Sequence, residues 1–223
     1  MLHSNLRSHI RDNHHQTEQL NYRQQEESKK TYNHKRQMTK PPNNCDERSI
    51  IEKLRDPATQ TAAFSLAVRA YSEQLYWHIR RMVFTHEDSN DILQNTFIKA
   101  WNNIDNFRGD SQISTWLYRI ATNETLTHLS HKRIETVSLN SDEGKIAHEL
   151  ECDPLFNGNH ADALLHEAIN SLPEKQRLVF NMRYFNDMKY EEISQILGTS
   201  TGALKASYHI AAKKVEEYIT SKD

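Results

Sequence analysis

The sequence has little glycine and proline, five of each in 223 residues. Turn-rich β folds use both residues often, so their scarcity favours helices. Its two cysteines, Cys45 and Cys152, stand far apart in polar surroundings, without a cysteine or histidine pair at zinc-finger spacing. This excludes a disulfide framework and a zinc finger. We predict neither a metal site nor a cofactor.

Long apolar runs and a strong net charge are missing as well. No segment approaches the ~20 apolar residues of a membrane span, and the first residues lack the apolar core of a secretory signal. We therefore expect a cytoplasmic protein without membrane insertion. The formal net charge is -2. Contacts with nucleic acid must therefore come from local basic patches, or a partner protein must supply them.

Signatures of catalysis are also missing. The sequence contains no glycine-rich phosphate loop, no nucleophile elbow and no pair of metal ligands at the usual spacings. The acidic run HEDSND falls on an expected helix with its side chains facing outward, so these groups do not converge in a pocket. We predict a binding protein and not an enzyme.

What the sequence does contain is helical periodicity in two blocks, which predicts an all-α protein of two small helical domains. Residues 1–46 are rich in Gln, Asn, His and Lys, and we expect this N-terminal extension to be disordered, with Met38 as an alternative start. Residues 47–133 carry the first block of apolar-periodic segments. Residues 134–160 form an acidic, flexible linker with several breakers, and residues 161–223 carry the second block.

Start and stop signals divide the blocks into helices. Asp56 and Pro57 are typical of a helix start, and so is Pro173 in the second block. The short segment YEEISQIL is stopped by Gly198, and Ser200 suits the N-cap of the longer segment that follows. Two helices joined in this way describe a helix-turn-helix. Its expected shared core is Ile193, Ile196, Leu197 and Leu204.

The two blocks resemble conserved regions of bacterial RNA polymerase sigma factors, in the family's order. DSNDILQNTFIKAWNNIDNFRGDSQISTWLYRIATNETLTHL is similar to sigma region 2, and LPEKQRLVFNMRYFNDMKYEEISQILGTSTGALKASYHIAAKK to sigma region 4. With only these two regions, the chain resembles the extracytoplasmic-function (ECF) group of the sigma-70 family. The resemblance implies a factor that binds core RNA polymerase and directs promoter recognition, local DNA melting and transcription initiation.

For polymerase binding, the resemblance implies that the helix around residues 88–101 docks on the clamp helices of the β′ subunit. By motif position, the contact residues are Asp88, Asp91, Gln94 and Asn95. Short acidic and amide groups on a rigid helix suit an arginine-rich partner. An ordinary solvated helix face is the alternative.

For the −10 element, the resemblance implies a loop that holds a flipped-out base and a helix that follows it. The implied residues are Asn103, Asp105, Asn106, Arg108, Tyr118, Arg119, Thr122, Asn123, Lys132 and Arg133. We place Trp116 in the core and expect Phe107 to be half packing and half pocket wall. We expect Tyr118, Arg119, Thr122 and Asn123 on the other side of the helix. Lys132 and Arg133 end the helix with positive charge, which suits the DNA backbone and equally suits the helix dipole.

For the −35 element and the β flap, the resemblance implies the helix-turn-helix. The implied DNA-binding residues are Ser200, Thr201, Lys205, Ser207, Tyr208, His209 and Lys213. Much of the family has arginine where this chain has Ser207, Ile210 and Ala212, and each loss removes a bidentate contact to guanine or a phosphate clamp. We expect a weaker or altered −35 preference, tolerated because polymerase holds the protein over the promoter. A region 4 that serves mainly as a dock for the β flap is the alternative.

Two further hypotheses concern partners. The family commonly has an anti-sigma factor, and the acidic linker suits the positive polymerase channel that later carries RNA. The competing function is a stand-alone helix-turn-helix regulator, which would bind an operator as a dimer with half-sites about one helical turn apart. The near-neutral charge and the arginine-poor helix argue against it.

Overall fold

The structure, a computed structural model, describes residues 44–83, 85–107, 109, 111–139 and 160–222, which all lie in the compact unit Pro42–Asp223. The predicted all-α class is confirmed, because helices and turns without strands make up these described residues. The helices are α1 (Asn44–Leu54), α2 (Gln60–Val83), α3 (His86–Asn102), a 3₁₀ turn (Ile104–Asn106), α4 (Ile113–Leu139), α5 (His160–Asn170), α6 (Glu174–Tyr184), α7 (Tyr190–Leu197) and α8 (Thr201–Thr220). The sequence predicts disorder over residues 1–46. Residues 1–43 and most of the expected linker lie outside the described residues, whereas residues 44–46 already belong to α1, so the extension ends earlier than expected.

The longest apolar stripe of the sequence forms the centre of the N-terminal helices. Tyr71, Leu75, Ile79 and Met82 of α2 are fully buried at helical spacing, which agrees with the helical periodicity predicted for the first block. The helix begins at Gln60 and not at Pro57, because Asp56 first closes a turn. The Asp56 carboxylate accepts a hydrogen bond from the Ala58 amide at 3.0 Å, and its carbonyl accepts from the Gln60 amide at 2.8 Å.

Helix α4 is longer than expected and corrects the boundary of the linker. It runs to Leu139, because the stretch after Arg133 contains neither glycine nor proline to stop it. Lys132 and Arg133 therefore lie inside the helix and not at its end. The alternative in which they complement the dipole of the last helical turn is excluded for this reason.

The predicted helix-turn-helix is confirmed in helices α7 and α8. Gly198 ends α7 in the left-handed region at φ 65°, which glycine adopts without strain. Ser200 caps α8, its hydroxyl accepting from the Ala203 amide at 3.4 Å. Pro173 precedes α6 as expected. Of the expected shared core, Ile193, Ile196 and Leu204 are buried, and Leu197 is partly buried against them.

The N-terminal helices α1–α4 and the C-terminal helices α5–α8 pack against each other, which the sequence does not predict. One continuous buried cluster joins Ile79 and Met82 of α2 to Met182 and Ile193 of the C-terminal helices. A second cluster, built on Ala168, Phe180 and Val215, holds α5, α6 and α8 together. None of the described helices is long and apolar enough to cross a membrane.

Candidate polymerase and DNA interfaces

The face of α3 predicted to bind polymerase is presented to solvent. Asp91, Gln94 and Asn95 are exposed, while Ile92 and Thr96 on the opposite side are buried. The spacing of three and four residues brings the three polar side chains together on a rigid helix, as the sequence predicts. The core packing on the other side fixes the orientation of this face.

Asp88 differs from these three residues because it is already engaged within the protein. Its carboxylate lies 3.0 Å from the Lys132 ammonium and 3.4 Å from Nε2 of His128, both on α4. Burial alone raises the pKa of Asp88, but hydrogen bonds from Thr85 and Lys132 and the nearby positive charges outweigh it, so the pKa is lowered. Asp88 and Lys132, predicted for two different partners, also join α3 to α4, and the contact of either residue with its partner stays a prediction.

An apolar side chain extends the exposed polar face of α3. Ile98 is 50% exposed, one turn after Gln94 and Asn95. The sequence does not single it out, because single apolar residues on a protein surface are common and are not by themselves a signal. Trp101 is also 37% exposed, because it lies at the edge of the core with its ring centroid 5.1 Å from that of Phe64.

The loop after α3 presents the polar groups expected for a base pocket. Asn103, Asp105 and Asn106 are exposed, and the Asp105 carboxylate accepts from the Gln60 side-chain amide at 3.0 Å. Phe107 is buried, with its ring 4.8 Å from that of Trp116. Phe107 therefore packs beneath the loop, which agrees with the packing half of its expected role, and its share in the pocket wall stays a prediction. Arg108 lies outside the described residues.

A glycine lets this loop lie close to α1. Gly109 has φ 72°, and a Cβ at this position would lie 2.7 Å from the Arg55 guanidinium and 3.2 Å from the Ile51 side chain. Both the backbone conformation and the space favour glycine here. The loop that carries the expected base pocket therefore packs against α1.

Two residues expected on the outward face of α4 are buried instead. Tyr118 is 5% exposed and Thr122 is 1% exposed. The Thr122 hydroxyl lies 3.0 Å from Nε2 of His78, and the Tyr118 hydroxyl accepts from the Asn186 side-chain amide at 3.0 Å. The expectation that both side chains face outward is wrong, because α4 is covered on this side by α2 and by the C-terminal helices. Burial raises the pKa of Tyr118 to about 12, so it stays a neutral hydroxyl.

Arg119 and Asn123 lie on the exposed side of α4, as expected. The Arg119 guanidinium donates to the backbone carbonyl of Gln195 on α7. Arg133 is exposed on the same helix. Contact of these residues with DNA stays a prediction.

Most of the residues predicted to read the −35 element lie on the open side of α8. Lys205, His209 and Lys213 are exposed, and Thr201 and Ser207 are half-buried. Two of the predicted residues also have a structural role. Ser200 caps the helix, and the half-buried ring of Tyr208 stacks on Phe180 with centroids 5.6 Å apart.

A positively charged residue beside α8, Arg183, escaped the sequence interpretation, and it shares an aromatic ring with the predicted Lys205. The Arg183 guanidinium of α6 lies 5.5 Å and the Lys205 ammonium 5.8 Å from the ring centroid of Tyr190, the first residue of α7. Cation–π contacts of this kind hold both charges beside the helix-turn-helix. The residues stand on three different helices, so spacing along α8 could not reveal them.

Comparison with known proteins identifies the family. Residues 67–134 match Sigma-70 region 2, and residues 162–215 match Sigma-70, region 4. Over 171 residues the chain is 30% identical to the RNA polymerase sigma-H factor of Pseudomonas aeruginosa, covering 70% of this chain and 85% of that protein. It is also 30% identical over 156 residues to the ECF RNA polymerase sigma factor SigW of Bacillus subtilis, covering 66% and 83%. The chain belongs to the ECF group of the sigma-70 family.

The sigma factor shares its fold with solved structures. CnrH, solved in complex with the cytosolic domain of CnrY, matches 80% of this chain with a TM-score of 0.60 at 19% identity, over 99% of its own length. RpoE from Bartonella quintana, solved with the anti-sigma factor NepR, matches 70% of this chain and 96% of its own with a TM-score of 0.59 at 20% identity. Membership confirms the predicted function: this is a transcription initiation factor of RNA polymerase and not an enzyme.

Proposed function

We propose that the sigma factor binds core RNA polymerase through a clamp face consisting of Asp91, Gln94, Asn95 and Ile98. The observation that supports it most is the exposure of all four residues on one side of a helix whose other side is buried in the core. Carboxylate and amide oxygens accept charge-assisted hydrogen bonds from arginine, while Ile98 adds apolar area to the centre of the contact. Asp88 contributes indirectly, by holding α3 against Lys132.

A pull-down with core polymerase tests the clamp face. We expect Asp91→Lys combined with Gln94→Ala to weaken binding by about 10- to 100-fold, because charge reversal turns an attraction into a repulsion. Glu52→Lys is the matched control, since Glu52 is exposed on α1 and the change in charge is the same. Unchanged binding of the double variant would remove the support for this face.

For the −10 element, the sigma factor uses the exposed polar loop and the exposed side of α4, with Asn103, Asp105, Asn106, Arg119 and Asn123 as the −10 face. The loop is held between the Phe107–Trp116 ring contact and α1, so its amide and carboxylate groups are positioned before DNA arrives. Such a shaped pocket can offset the few kcal/mol that unstacking a base costs. Arg133 is placed to contact the backbone.

For the −35 element, the sigma factor uses the exposed side of α8 together with Arg183 and Lys205 around Tyr190. These cations are suited to phosphate contacts, which position a protein without specifying sequence. The arginine-poor helix then reads bases weakly, and polymerase supplies the effective concentration. DNase footprinting of the holoenzyme tests this. We expect protection to persist when the −35 sequence is scrambled, and to depend on polymerase.

The setting is the bacterial cytoplasm, where RNA polymerase works. An anti-sigma partner is part of the proposal as well: the fold relatives CnrH and RpoE are each solved with a bound protein, the cytosolic domain of CnrY and the anti-sigma factor NepR. A test is purification of the sigma factor from its own cells under conditions in which its promoters are silent. Recovery of the chain free of other protein in that state would count against such a partner.

A further inference from the structure

We propose that α8 reads thymine methyl groups in the major groove of the −35 element through a row of three residues, Gly202, Ala206 and Ile210, here called the methyl row. The inference rests on the proposed −35 face, because it names the chemical group that this face recognises. All three residues are exposed, and they follow one another at intervals of four residues. Side chains at this spacing lie next to one another on one side of a helix.

The methyl row faces away from the protein. Leu204, Ala211 and Val215 are the buried residues of α8, and at about 3.6 residues per turn Ala206 lies nearly opposite to them. The row also begins in the first turn of the helix, at Gly202. In helix-turn-helix proteins, the N-terminal part of the second helix is the part that reaches base edges. The methyl row therefore occupies the part of α8 that is suited to the floor of the groove.

Gly202 leaves the first turn of the methyl row without a side chain. A Cβ at this position would meet nothing within 4 Å among the described residues. The packing of the protein thus leaves the space above Gly202 open, and the backbone can approach another surface closely at this point. The short side chain of Ala206 acts in the same way one turn later, so the helix can come close to the base edges.

Basic groups flank the methyl row on both sides. Lys205 lies on one side, together with Arg183 around the ring of Tyr190. Lys214 lies on the other side and is exposed. Residues 201–214 include no aspartate or glutamate. A low apolar centre between two positive edges fits a duplex, since base edges form the floor of the major groove and phosphates line its sides.

The chemistry of the methyl row selects thymine. Thymine presents its C5-methyl group in the major groove, where apolar side chains recognise it by contact, whereas guanine presents two acceptors that require a donor. Ile210 is 46% exposed and stands where much of the family has arginine, so an apolar group takes the place of the donor. Of the neighbouring donors, Lys213 lies 3.7 Å from the Glu217 carboxylate, and His209 stands beside the row, where it is suited to a phosphate.

The spacing of the methyl row predicts the element that it reads. Ala206 and Ile210 are ~6 Å apart along the helix axis, which corresponds to about two base pairs. We therefore expect two thymines at about this separation. Burying one methyl group corresponds to about a fourfold change in affinity. Because this preference is small, a footprint at saturating holoenzyme persists on a scrambled −35 sequence, while the affinity changes.

The test uses holoenzyme assembled from core polymerase and the full chain. Its substrate is a promoter found by run-off transcription, in which the −10 region is kept and about one helical turn of the −35 region is randomised. Bound duplexes are separated and sequenced. The enriched duplex is then made with uracil in place of thymine, because uracil lacks only the C5-methyl group and keeps the same hydrogen-bonding groups.

Three variants separate the role of Ile210 from a general loss of apolar surface. Ile210→Ala removes most of the apolar contact, and Ile210→Arg introduces the donor that much of the family has. The matched control is Leu66→Ala, because Leu66 of α2 is 45% exposed and loses a branched side chain of the same size. Circular dichroism checks the helical content of each variant.

We expect the parent and Leu66→Ala to select thymine at two positions, and uracil to weaken binding about fourfold at each of them. Ile210→Ala should lose the sensitivity to uracil at one of the two positions. Ile210→Arg should select guanine there, because arginine donates to both acceptors of that base.

Two results would overturn the methyl readout: a selection of guanine or of no particular base by the parent, or a sensitivity to uracil that is unchanged in Ile210→Ala. Failure of the proposed −35 face gives a different pattern, which Lys205→Gln reveals. If only the methyl readout is wrong, Lys205→Gln still weakens binding to all duplexes about equally, as for a phosphate contact. If the −35 face itself is wrong, Lys205→Gln and Ile210→Ala both leave the affinity for every duplex at the parent value.

Discussion

Acidification should destabilise the sigma factor through one buried histidine, His78. Its ring is fully buried, with Nε2 3.0 Å from the Thr122 hydroxyl and Nδ1 without a hydrogen-bond partner among the described residues. Burial, and secondarily the Arg81 charge, lower the pKa of His78 from 6.5 to about 3. The ring is therefore neutral in the folded protein at every pH at which cells live.

The sign of the effect follows from proton binding. Below its ordinary pKa, His78 of the unfolded chain binds a proton, whereas the buried ring of the folded protein does not. Acid therefore favours unfolding. The stability associated with the neutral ring is complete above about pH 6.5 and falls as pH drops toward the folded value. From about pH 6.5 to about pH 5 the loss is ~2 kcal/mol, at 1.36 kcal/mol for each pH unit.

Guanidinium unfolding at about pH 7.5 and about pH 5 measures this loss. His78→Gln removes the titrating group but keeps a polar partner for Thr122, so we expect it to cost about 1–3 kcal/mol near pH 7.5. Toward about pH 5 we expect the gap to wild type to narrow by ~2 kcal/mol. His131→Gln, at an exposed position of α4, is the control and should follow wild type. A gap for His78→Gln that stays constant with pH would refute the reasoning.

Three further substitutions test the packing of the −10 loop and the turn of the helix-turn-helix, and thermal or denaturant unfolding measures their effects. Phe107→Ala should cost about 3–5 kcal/mol, because it removes a buried ring under the −10 loop; a cost below about 1 kcal/mol would show that the ring is not packed. Gly109→Ala should destabilise by more than about 1 kcal/mol, since strain and the Arg55 contact add. Gly198→Ala meets nothing within 4 Å, so its cost of about 1 kcal/mol reflects the left-handed backbone alone, and no loss at all would contradict that cause.

Much of the local structure could be predicted from the sequence because it depends on short-range rules. The apolar stripe of α2, the stop at Gly198, the cap at Ser200 and the exposed positions Asp91 and Gln94 all follow from period and capping chemistry. Each signal lies within a few turns of one helix. These parts of the structure agree with the prediction for that reason.

The misses depend on contacts between segments far apart in the chain. Tyr118 and Thr122 look outward on a helical wheel, yet α2 and the connection between α6 and α7 cover them. The sequence also does not predict the ion pair between Lys132 and Asp88, which are 3.0 Å apart in the structure and 44 positions apart in the chain. A single-helix pattern contains no information on which neighbour covers its far side, so these pairings appear only in the folded structure.

The central claim is that two small helical regions recognise promoters only as part of RNA polymerase. Run-off transcription on genomic DNA, with core polymerase in the presence and absence of the sigma factor, tests it most directly. The account predicts discrete transcripts that require both components, and the sigma factor alone should give no footprint on the promoters found. Tight, specific binding of the isolated chain to a duplex, with no new transcripts when polymerase is added, would contradict the account.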